Sequence, residues 1–439
     1  MDEPSSETKA ILFNDLIPLP FRISGLIQLG LTFWFLLNVI LFNFSSLNIL
    51  QLLNLSYNPH KYAQLDGPLP ASGEYATTMP ADRNENSRFI NGIWSSLKGV
   101  SLINVISWAI FKAVQYFNGN WKVIYYSIPI IQFAYIFNRI FYENVSSPGQ
   151  VRIWTTMQRI IQGKINFQTM RSNDILISDS MVSFAKVIND FGLFIWGFYI
   201  DESTAYNYKL EFIILCIPTL IRIRQCWFEY RTTRQLQHLL NLVKYSTGIG
   251  PLIVNVFIKS TLVNATEQER QSGDLFTALA SLNRWWYVFS ALNSTYSFIW
   301  DIKMDWHLQL FNKFFNPKAQ FSILRIHKAY PDYIYFAAIV IDFFLRFIWV
   351  LKIFIINDQL SQSDIKLIHV FSTFLFGYDA YSFGYVVIET LEIFRRWMWC
   401  FIKLESDWVK LKLHESEQEE GPNDIDVDVD VELAEMGKR

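Results

Sequence analysis

Long apolar stretches alternate with short polar connections along most of this chain. Nine of the stretches come close to the roughly 20 residues that an α-helix needs to cross a lipid bilayer. The pattern therefore predicts an all-α polytopic membrane protein with about nine transmembrane helices. The predicted spans are Ile23–Phe42, Ile93–Phe117, Val123–Tyr142, Ser180–Ile200, Leu210–Phe228, Ile249–Val263, Leu282–Trp300, Tyr333–Ile356 and Leu367–Glu389.

The segments beside the spans have other patterns. Residues 1–22 form a polar N-terminus, and residues 56–90 contain four prolines and two glycines, which is typical of a loop. Val151–Met170 places arginines and a lysine among Ile, Trp and Phe, which indicates a helix that lies in the membrane interface. Residues 411–439 include the acidic run Glu415–Glu432 and predict a disordered, solvated tail.

Basic residues in the connections predict the orientation of the chain. The connections 142–178, 229–247 and 301–332 contain four, three and five lysines and arginines, whereas the alternate connections contain only Arg270. Because cytoplasmic loops carry the excess of lysine and arginine, we expect the first set and the C-terminus to be cytosolic. An odd number of spans then places the N-terminus on the opposite side of the membrane.

The composition supports a membrane protein and offers little for other classes. Hydrophobic residues make up 51% of the chain and charged residues 18%, which is too apolar for an ordinary globular protein. The three cysteines have no paired spacing and the six histidines follow no metal-binding motif, so neither a disulfide framework nor a metal site is expected. We also expect no cofactor, no nucleic acid partner and no enzymatic activity, since a nucleotide-binding loop and a nucleophile-plus-base pair are both missing from the sequence.

Two adjacent arginines interrupt the most apolar sequence near the C-terminus, TLEIFRRWMWCFIKL. Glu392 precedes Arg395 by three residues and Arg396 by four, a helical spacing at which a carboxylate reaches a guanidinium. Ionisable groups at such a depth mark a substrate or ion path by default. Arginines near a helix end can instead extend to the lipid headgroups, and that alternative stays open at this point.

A second pair of opposite charges lies inside the predicted span Tyr333–Ile356. In IDFFLRFIW, Asp342 and Arg346 are four residues apart, and Trp349 follows about one turn beyond the arginine. Such a pair either lines a functional path or only holds helices together.

Four further charges lie beside or within the apolar runs. Asp301 and Asp305 share a helical face in YSFIWDIKMDW, and because like charges at this spacing repel, a cation is expected opposite them. Asp179 precedes a predicted span, where its simple alternative is a helix N-cap. Lys244 ends a basic connection, where its simple alternative is a positive-inside residue.

Together these residues suggest an anion path whose charges balance when it is empty. Arginine suits a tetrahedral oxyanion because its planar fork donates two parallel hydrogen bonds. The acids penalise a fully deprotonated anion, whereas an anion with its own O–H donates to them, which favours phosphate over sulfate. The basic members are Lys244, Arg346, Arg395 and Arg396, and the acidic members are Asp179, Asp301, Asp305 and Glu392.

The motifs YSFIWDIKMDW, IDFFLRFIW, ETLEIFRRWMWCFIKLESDW and RQCWFEYRTTRQLQHLLNLVKYS closely resemble the EXS domain family. That family includes the phosphate exporters known as xenotropic and polytropic retrovirus receptors and the fungal ER-retention-defective proteins. The resemblance is strong over about residues 150–410 and looser over residues 23–149. It implies that the last six spans form a bundle around a phosphate path.

The resemblance also implies the site residues, namely Asp179, Lys244, Asp301, Asp305, Arg346, Glu392, Arg395 and Arg396, with Trp349 as a gate candidate. We expect Glu392 to orient the arginine pair at the inner mouth, Arg346 to lie deeper, and Trp349 to act as an apolar constriction. With 22 residues before the first span, no N-terminal SPX sensor domain is expected, which is typical of the short fungal branch of the family.

The expected function is therefore transport of inorganic phosphate, a by-product of glycosylation, from the Golgi lumen to the cytosol. Such transport would support glycosylation and the retention of Golgi and ER residents. The alternative is a cargo-sorting receptor that transports nothing and binds glycosyltransferases or their sorting adaptor. A membrane enzyme acting on a lipid phosphate is a weaker alternative. The remaining expected partner is the lipid bilayer, and a homodimer is left open.

Overall fold

The structure is a computed structural model, and it describes residues 13–44, 47–53, 55, 83–117, 122–142, 148–166, 171–200, 207–266, 268, 273–317, 321–358, 367–376 and 383–419. Within these ranges the regular secondary structure is helical throughout. The longer helices are α1 (Leu19–Phe44), α2 (Arg83–Tyr116), α3 (Lys122–Phe141), α4 (Pro148–Ile161), α5 (Arg171–Ser183), α6 (Ala185–Ile195), α7 (Tyr208–Thr233), α8 (Leu236–Thr247), α9 (Ile249–Asn264), α10 (Asp274–Trp300), α11 (Asp332–Arg346), α12 (Leu351–Asp358), α13 (Leu367–Phe376) and α14 (Phe383–Glu419).

Several of these helices are long and apolar enough to cross a membrane. Four continuous segments of the described chain meet this condition, and the pair α5 and α6, which is bent by 60°, meets it as one broken span. The four segments are Leu19–Asn43, Arg83–Tyr116, Leu236–Asn264 and Asp332–Phe354. The predicted class of an all-α polytopic membrane protein is therefore confirmed, while the total of nine spans stays a prediction.

The structure corrects the boundaries of several predicted elements. The predicted loop 56–90 is wrong at its end, since α2 begins at Arg83, where Glu85 in the first turn complements the helix dipole; residues 56–82 lie outside the described ranges. The predicted connection 229–247 is also wrong, because α8 fills most of it and adjoins α9. Lys244 therefore belongs to a helix rather than to a loop.

Two predicted spans are divided in the structure. Ser180–Ile200 is interrupted at Phe184, where α5 ends and α6 begins at an angle of 60°, and α6 continues into a π-helical turn. Leu367–Glu389 is divided into α13 and α14. Gly384 lies where α14 starts, and a Cβ atom there would collide with the backbone oxygen of Phe374, so the absence of a side chain permits this close approach.

The last helix, α14, is the central element of the C-terminal half. It packs against α1, α5, α11 and α13, and it contributes the fully buried Trp399 and Leu404 to the main apolar core. Ile302 and Trp306 from the segment after α10 complete that core. Because α14 continues to Glu419, the first residues of the predicted tail are helical, and residues 420–439 lie outside the described ranges.

Apolar side chains are exposed along the outer faces of several long helices. Examples are Leu102 and Val105 on α2, Phe257 on α9, and Trp285 and Val288 on α10, each more than half exposed. In water such a surface would be unfavourable, whereas lipid chains cover it without penalty. The interior of the bundle, in contrast, contains charged side chains.

Candidate functional site

Two arginines from different helices share two aspartates in the interior of the bundle. Arg346 ends α11 and donates from Nη2 to Asp301, and its Nε donates to Oδ2 of Asp342 at 2.9 Å. Nη1 of Arg395 on α14 lies 3.3 Å from Oδ1 of the same Asp342 and 3.7 Å from Oδ2 of Asp301. Both aspartates are fully buried, so their charges are balanced by these guanidinium groups rather than by water.

Glu392 holds Arg395 through a two-pronged contact, as its spacing predicted. Nε of Arg395 donates to Oε2 at 2.9 Å and Nη2 donates to Oε1 at 2.6 Å. Ser183 at the end of α5 donates to Oε1 of Glu392 at 2.8 Å and accepts from Nε of Arg396 at 2.9 Å. The two arginines thus point to different neighbours, and Ser183 joins them through its hydroxyl group.

The prediction that Arg346 lies deeper than Arg395 does not agree with the contacts of the two residues. Arg395 contacts the same two aspartates as Arg346, so the two guanidinium groups lie at one level. Sequence placed Arg395 and Arg396 at the end of a span that stopped at Glu389, but α14 is continuous from Phe383 to Glu419 and carries both residues well inside it. Both are buried, which also excludes the alternative that they extend to lipid headgroups.

Lys244 is the cation that Asp301 and Asp305 required. Its Nζ lies 3.4 Å from Oδ1 of Asp301 and 3.7 Å from Oδ2 of Asp305. The two aspartates are the first and last residues of a π-helical turn that follows α10. Trp399 donates from its indole nitrogen to Oδ2 of Asp305 at 3.2 Å. Since Lys244 is buried and paired, the positive-inside alternative for it is wrong.

Asp179 lies in the interior of α5, so the N-cap alternative for it is wrong. One of its oxygens lies 2.7 Å from Nε of Arg222 and accepts from the hydroxyl of Tyr245 at 2.6 Å. Its second oxygen lies 3.5 Å from Nη1 of Arg396. That Nη1 is buried and has no hydrogen-bond acceptor among the described residues, so it is a donor available to an incoming ligand.

Arg222 is a member of the network that sequence reasoning missed. It lies within α7, is fully buried, and donates to the hydroxyls of Ser178 and Tyr245, both at 3.0 Å. The signal that could have identified it is an arginine inside the predicted span Leu210–Phe228, although, unlike Arg346, it has no carboxylate four residues away in the sequence. Tyr245, adjacent to Lys244, had no such signal because a tyrosine is common in an apolar helix.

The structure thus joins all eight predicted charged residues in one network, to which it adds two more. With Arg222 and Asp342 included, five basic and five acidic side chains balance. They come from α5, α7, α8, α11, α14 and the turn after α10. We call these ten residues the central network: Lys244, Arg222, Arg346, Arg395, Arg396, Asp179, Asp301, Asp305, Asp342 and Glu392.

Trp349 adjoins the central network but is not part of it. It lies in a short 3₁₀ turn after α11, and its indole nitrogen donates to the hydroxyl of Ser294 at 2.9 Å. The same hydroxyl donates to the backbone oxygen of Arg346 at 2.9 Å. The Trp349 ring stacks on Tyr287 with centroids 6.2 Å apart and meets Trp286 edge-on. This aromatic group is the apolar border of the network, and its role as a gate stays a prediction.

Comparison with known proteins identifies related chains. The model of the EXS family matches residues 17–409. Protein ERD1 homolog 1 of Schizosaccharomyces pombe is 24% identical over 348 residues, which are 75% of this chain and 81% of that protein. Protein ERD1 of Saccharomyces cerevisiae is 27% identical over 302 residues, covering 68% of this chain and 72% of that protein.

A third relative is a longer protein that matches in part. Solute carrier family 53 member 1 of Cricetulus griseus is 34% identical over 203 residues, which are 46% of this chain but 25% of that protein. This chain therefore corresponds to most of the length of the ERD1 proteins and to about a quarter of the solute carrier.

Proposed function

We propose, because the chain belongs to the EXS family, that this protein transports inorganic phosphate across the Golgi membrane from the lumen to the cytosol. The observation that carries the proposal is the central network, in which five basic and five acidic side chains, all buried or partly buried, balance within an apolar bundle. A relative that is named as a solute carrier supports the same class of function.

The charged side chains of the central network lie inside the helix bundle, and packing alone does not account for them. A buried ion pair contributes little net stability, because desolvation of both partners offsets their attraction. Hydrophobic residues of similar size would hold the helices together equally well without this desolvation penalty. Packing alone therefore does not explain ten ionic side chains. Ionisable residues inside a membrane protein accordingly mark substrate and ion paths.

The arrangement can bind an oxyanion by exchange of partners. Arg346, Arg395 and Arg396 each donate to a carboxylate or hydroxyl group now, and each can donate the same hydrogen bonds to phosphate oxygens. Without the anion, the carboxylates keep the arginines neutralised. When the anion leaves, the carboxylates recover the arginines, so binding stays weak enough for release, as conduction requires.

The same carboxylates explain a preference for phosphate over sulfate. At neutral pH phosphate retains at least one O–H group and can donate it to Asp301 or Glu392. Sulfate has no proton to donate and would place bare oxygens against these carboxylates, which is repulsive. Selectivity then depends on the acids of the network, while affinity depends on its arginines.

The cellular part of the proposal follows from the resemblance to the fungal branch of the family. Glycosyl transfer from nucleoside-diphosphate sugars releases the nucleoside diphosphate, and its hydrolysis then yields inorganic phosphate in the lumen. A passive pathway would return this phosphate to the cytosol along its gradient. Removal of this product would sustain glycosylation, and the retention of Golgi and ER residents would follow from it. We propose downhill movement, since the sequence contains no nucleotide-binding loop that would couple transport to ATP.

The test is uptake of radioactive phosphate into vesicles that contain the purified protein, with sulfate as competitor. Wild-type protein should take up phosphate and sulfate should compete weakly. Arg346→Ala should abolish uptake, because it removes the donor shared by Asp301 and Asp342. The matched control is Arg284→Ala, which removes an exposed arginine of α10 and should leave uptake unchanged.

The cargo-sorting alternative makes the opposite prediction. It expects wild-type vesicles to take up no phosphate, and it expects the cytosolic segments, including residues 420–439, to be required in cells instead. If Arg346→Ala restored Golgi enzyme retention as well as wild type in a cell that lacks this protein, the transport proposal would be wrong and the sorting function would replace it.

A further inference from the structure

A second group of charged side chains lies outside the central network, where α1, α6 and α14 meet. Nη2 of Arg22 on α1 lies 2.5 Å from Oδ2 of Asp190 on α6, and the two side chains are 3% and 8% exposed. Lys186, one turn before Asp190, places its ammonium 5.1 Å from the ring centre of Tyr385 on α14. The guanidinium of Arg22 lies 5.8 Å from the same ring.

Glu389, one turn after Tyr385, is the member of this group that the fold does not explain. It is 2% exposed, and both of its carboxylate oxygens are buried without a hydrogen-bond donor among the described residues. It lies one turn from Tyr385, whose ring Arg22 and Lys186 approach, and the charges of Asp190, Arg22 and Lys186 act on it electrostatically. A buried carboxyl group without a donor is unfavourable and rare, so its presence indicates a ligand that supplies the donor.

The second group is connected to the central network by two rows of polar residues on facing helices. On α14 the row has the spacing i, i+4, i+7 and i+11, which keeps its members on one face, and it consists of Tyr385, Glu389, Glu392 and Arg396. The segment α5–α6 has the same spacing and carries Asp179, Ser183, Lys186 and Asp190.

Contacts show that the two rows run antiparallel. Asp179 contacts Arg396, and Ser183 contacts both Arg396 and Glu392. At the other end, Lys186 lies over Tyr385. From Glu389 to Arg396 is seven residues, or about 10 Å along the helix at about 1.5 Å per residue. The polar rows therefore lead from the central network toward the N-terminal end of α14, away from the acidic tail.

We propose that Arg22, Lys186 and Glu389 form a second station for protonated phosphate, about 10 Å from the central network. The inference rests on the proposed transport function and extends it. Arg22 and Lys186 supply two positive charges for the anionic oxygens, and Glu389 accepts a hydrogen bond from the phosphate O–H. Asp190 balances Arg22 when the station is empty, in the same way as the acids of the central network balance their arginines.

The second station should have a distinct kinetic signature, because in this proposal phosphate binds there before it reaches the central network. Loss of one of its charge-assisted hydrogen bonds should weaken loading by about tenfold or more. Saturating phosphate on the same side should restore transport. Loss of Arg346 in the central network should not be restored by phosphate at any concentration.

The experiment measures initial rates of phosphate uptake as a function of phosphate concentration on the side of the α14 N-terminus. Lys186→Gln should raise the KM by about tenfold and keep the maximal rate within about twofold of wild type. The matched control is Lys98→Gln, which removes an exposed lysine of α2 and should change neither quantity. An unchanged KM for Lys186→Gln in folded, transporting protein would overturn the second station.

Glu389→Gln tests the acid separately. Its amide can donate a hydrogen bond to an anion, so sulfate should compete with phosphate more strongly in this variant than in wild type. Sulfate competition equal to that of wild type would show that Glu389 does not face the anion, and the station as proposed would then be wrong.

A binding measurement separates failure of this inference from failure of the transport function. Radioactive inorganic phosphate is titrated onto Arg346→Ala protein in lipid nanodiscs, where the central network is disabled. Residual saturable binding that Lys186→Gln weakens by about tenfold supports the second station even if wild type transports nothing. Absence of residual binding overturns the second station and leaves the transport function standing if wild type transports phosphate.

Discussion

The helices of the N-terminal third and those of the C-terminal half are joined by different kinds of polar contact. Between α1, α2 and α3, the buried contacts are made by neutral side chains: Gln28 donates to Ser101 at 2.9 Å, and Gln132 donates to Ser24 and to Asn104, both at 2.9 Å. A charged contact between these helices joins Arg139 to a neutral partner, the hydroxyl of Ser95, at 2.7 Å. In the C-terminal half, the helices are joined by the ionic side chains of the central network.

The difference between neutral and ionic contacts indicates different roles for the two regions. Neutral amides and hydroxyls are sufficient to hold helices together in a membrane, where such hydrogen bonds contribute about 0.6 kcal/mol on average. Full charges are not needed for that purpose and cost far more to bury. The N-terminal helices therefore pack through mostly neutral groups, whereas in the function proposed above the charges of the central network bind the anion.

The largest stability effect should come from removal of one partner of a buried ion pair. Arg222→Met leaves Asp179 without its nearest cation and should destabilise the protein by about 3 to 5 kcal/mol, measured by thermal unfolding in detergent micelles. The double variant Arg222→Met with Asp179→Leu removes both charges and should recover much of this loss. A double variant no more stable than the single one would show that the pair does not act as a unit.

A smaller effect is expected at the hydroxyl that joins the aromatic border to the network. Ser294→Ala removes one hydrogen bond to the indole of Trp349 and one to the backbone oxygen of Arg346, which together contribute about 1 to 3 kcal/mol. Phosphate flux should change by about tenfold because Trp349 is no longer fixed relative to Arg346. Ser294→Thr keeps the hydroxyl and should preserve flux; equal fluxes in the alanine and threonine variants would contradict this role.

The neutral contacts of the N-terminal helices should be worth less and should not affect transport. Gln132→Leu removes the donor to Ser24 and Asn104, and it should destabilise the protein by about 1 kcal/mol in the same unfolding assay. The KM for phosphate should stay that of wild type. A changed KM would show that the N-terminal network takes part in transport and would remove the contrast between the two regions.

The smallest effect is expected at an exposed ion pair outside the bundle. Lys328 and Asp332 are 2.7 Å apart at the start of α11, with side chains 22% and 62% exposed. Water and salt screen such a pair, so Lys328→Gln should cost at most about 0.5 kcal/mol. A loss of several kcal/mol in the free energy of unfolding would mean that the exposure of a charged side chain does not determine its contribution to stability in this protein.

Sequence reasoning identified the site through local spacing but was less reliable on element boundaries. The pairs Asp342 with Arg346 and Glu392 with Arg395 were predicted from spacings of four and three residues, and both exist. The break at Phe184 and the division of Leu367–Glu389 were missed, because an apolar run carries the same pattern whether its helix is continuous or interrupted. Arg222 was missed because no partner lies near it in the sequence.

The sequence by itself determined that this is a helical membrane protein and which side chains place charge inside it. Hydropathy and helical spacing are local quantities, so they fix the relative position of residues on one helix. Only the tertiary structure decided which helices face each other: Lys244 with Asp301, Arg222 with Asp179, and Arg22 with Asp190. Those contacts depend on helix bends and on packing between segments that are distant in the sequence. The local sequence pattern predicts neither of them.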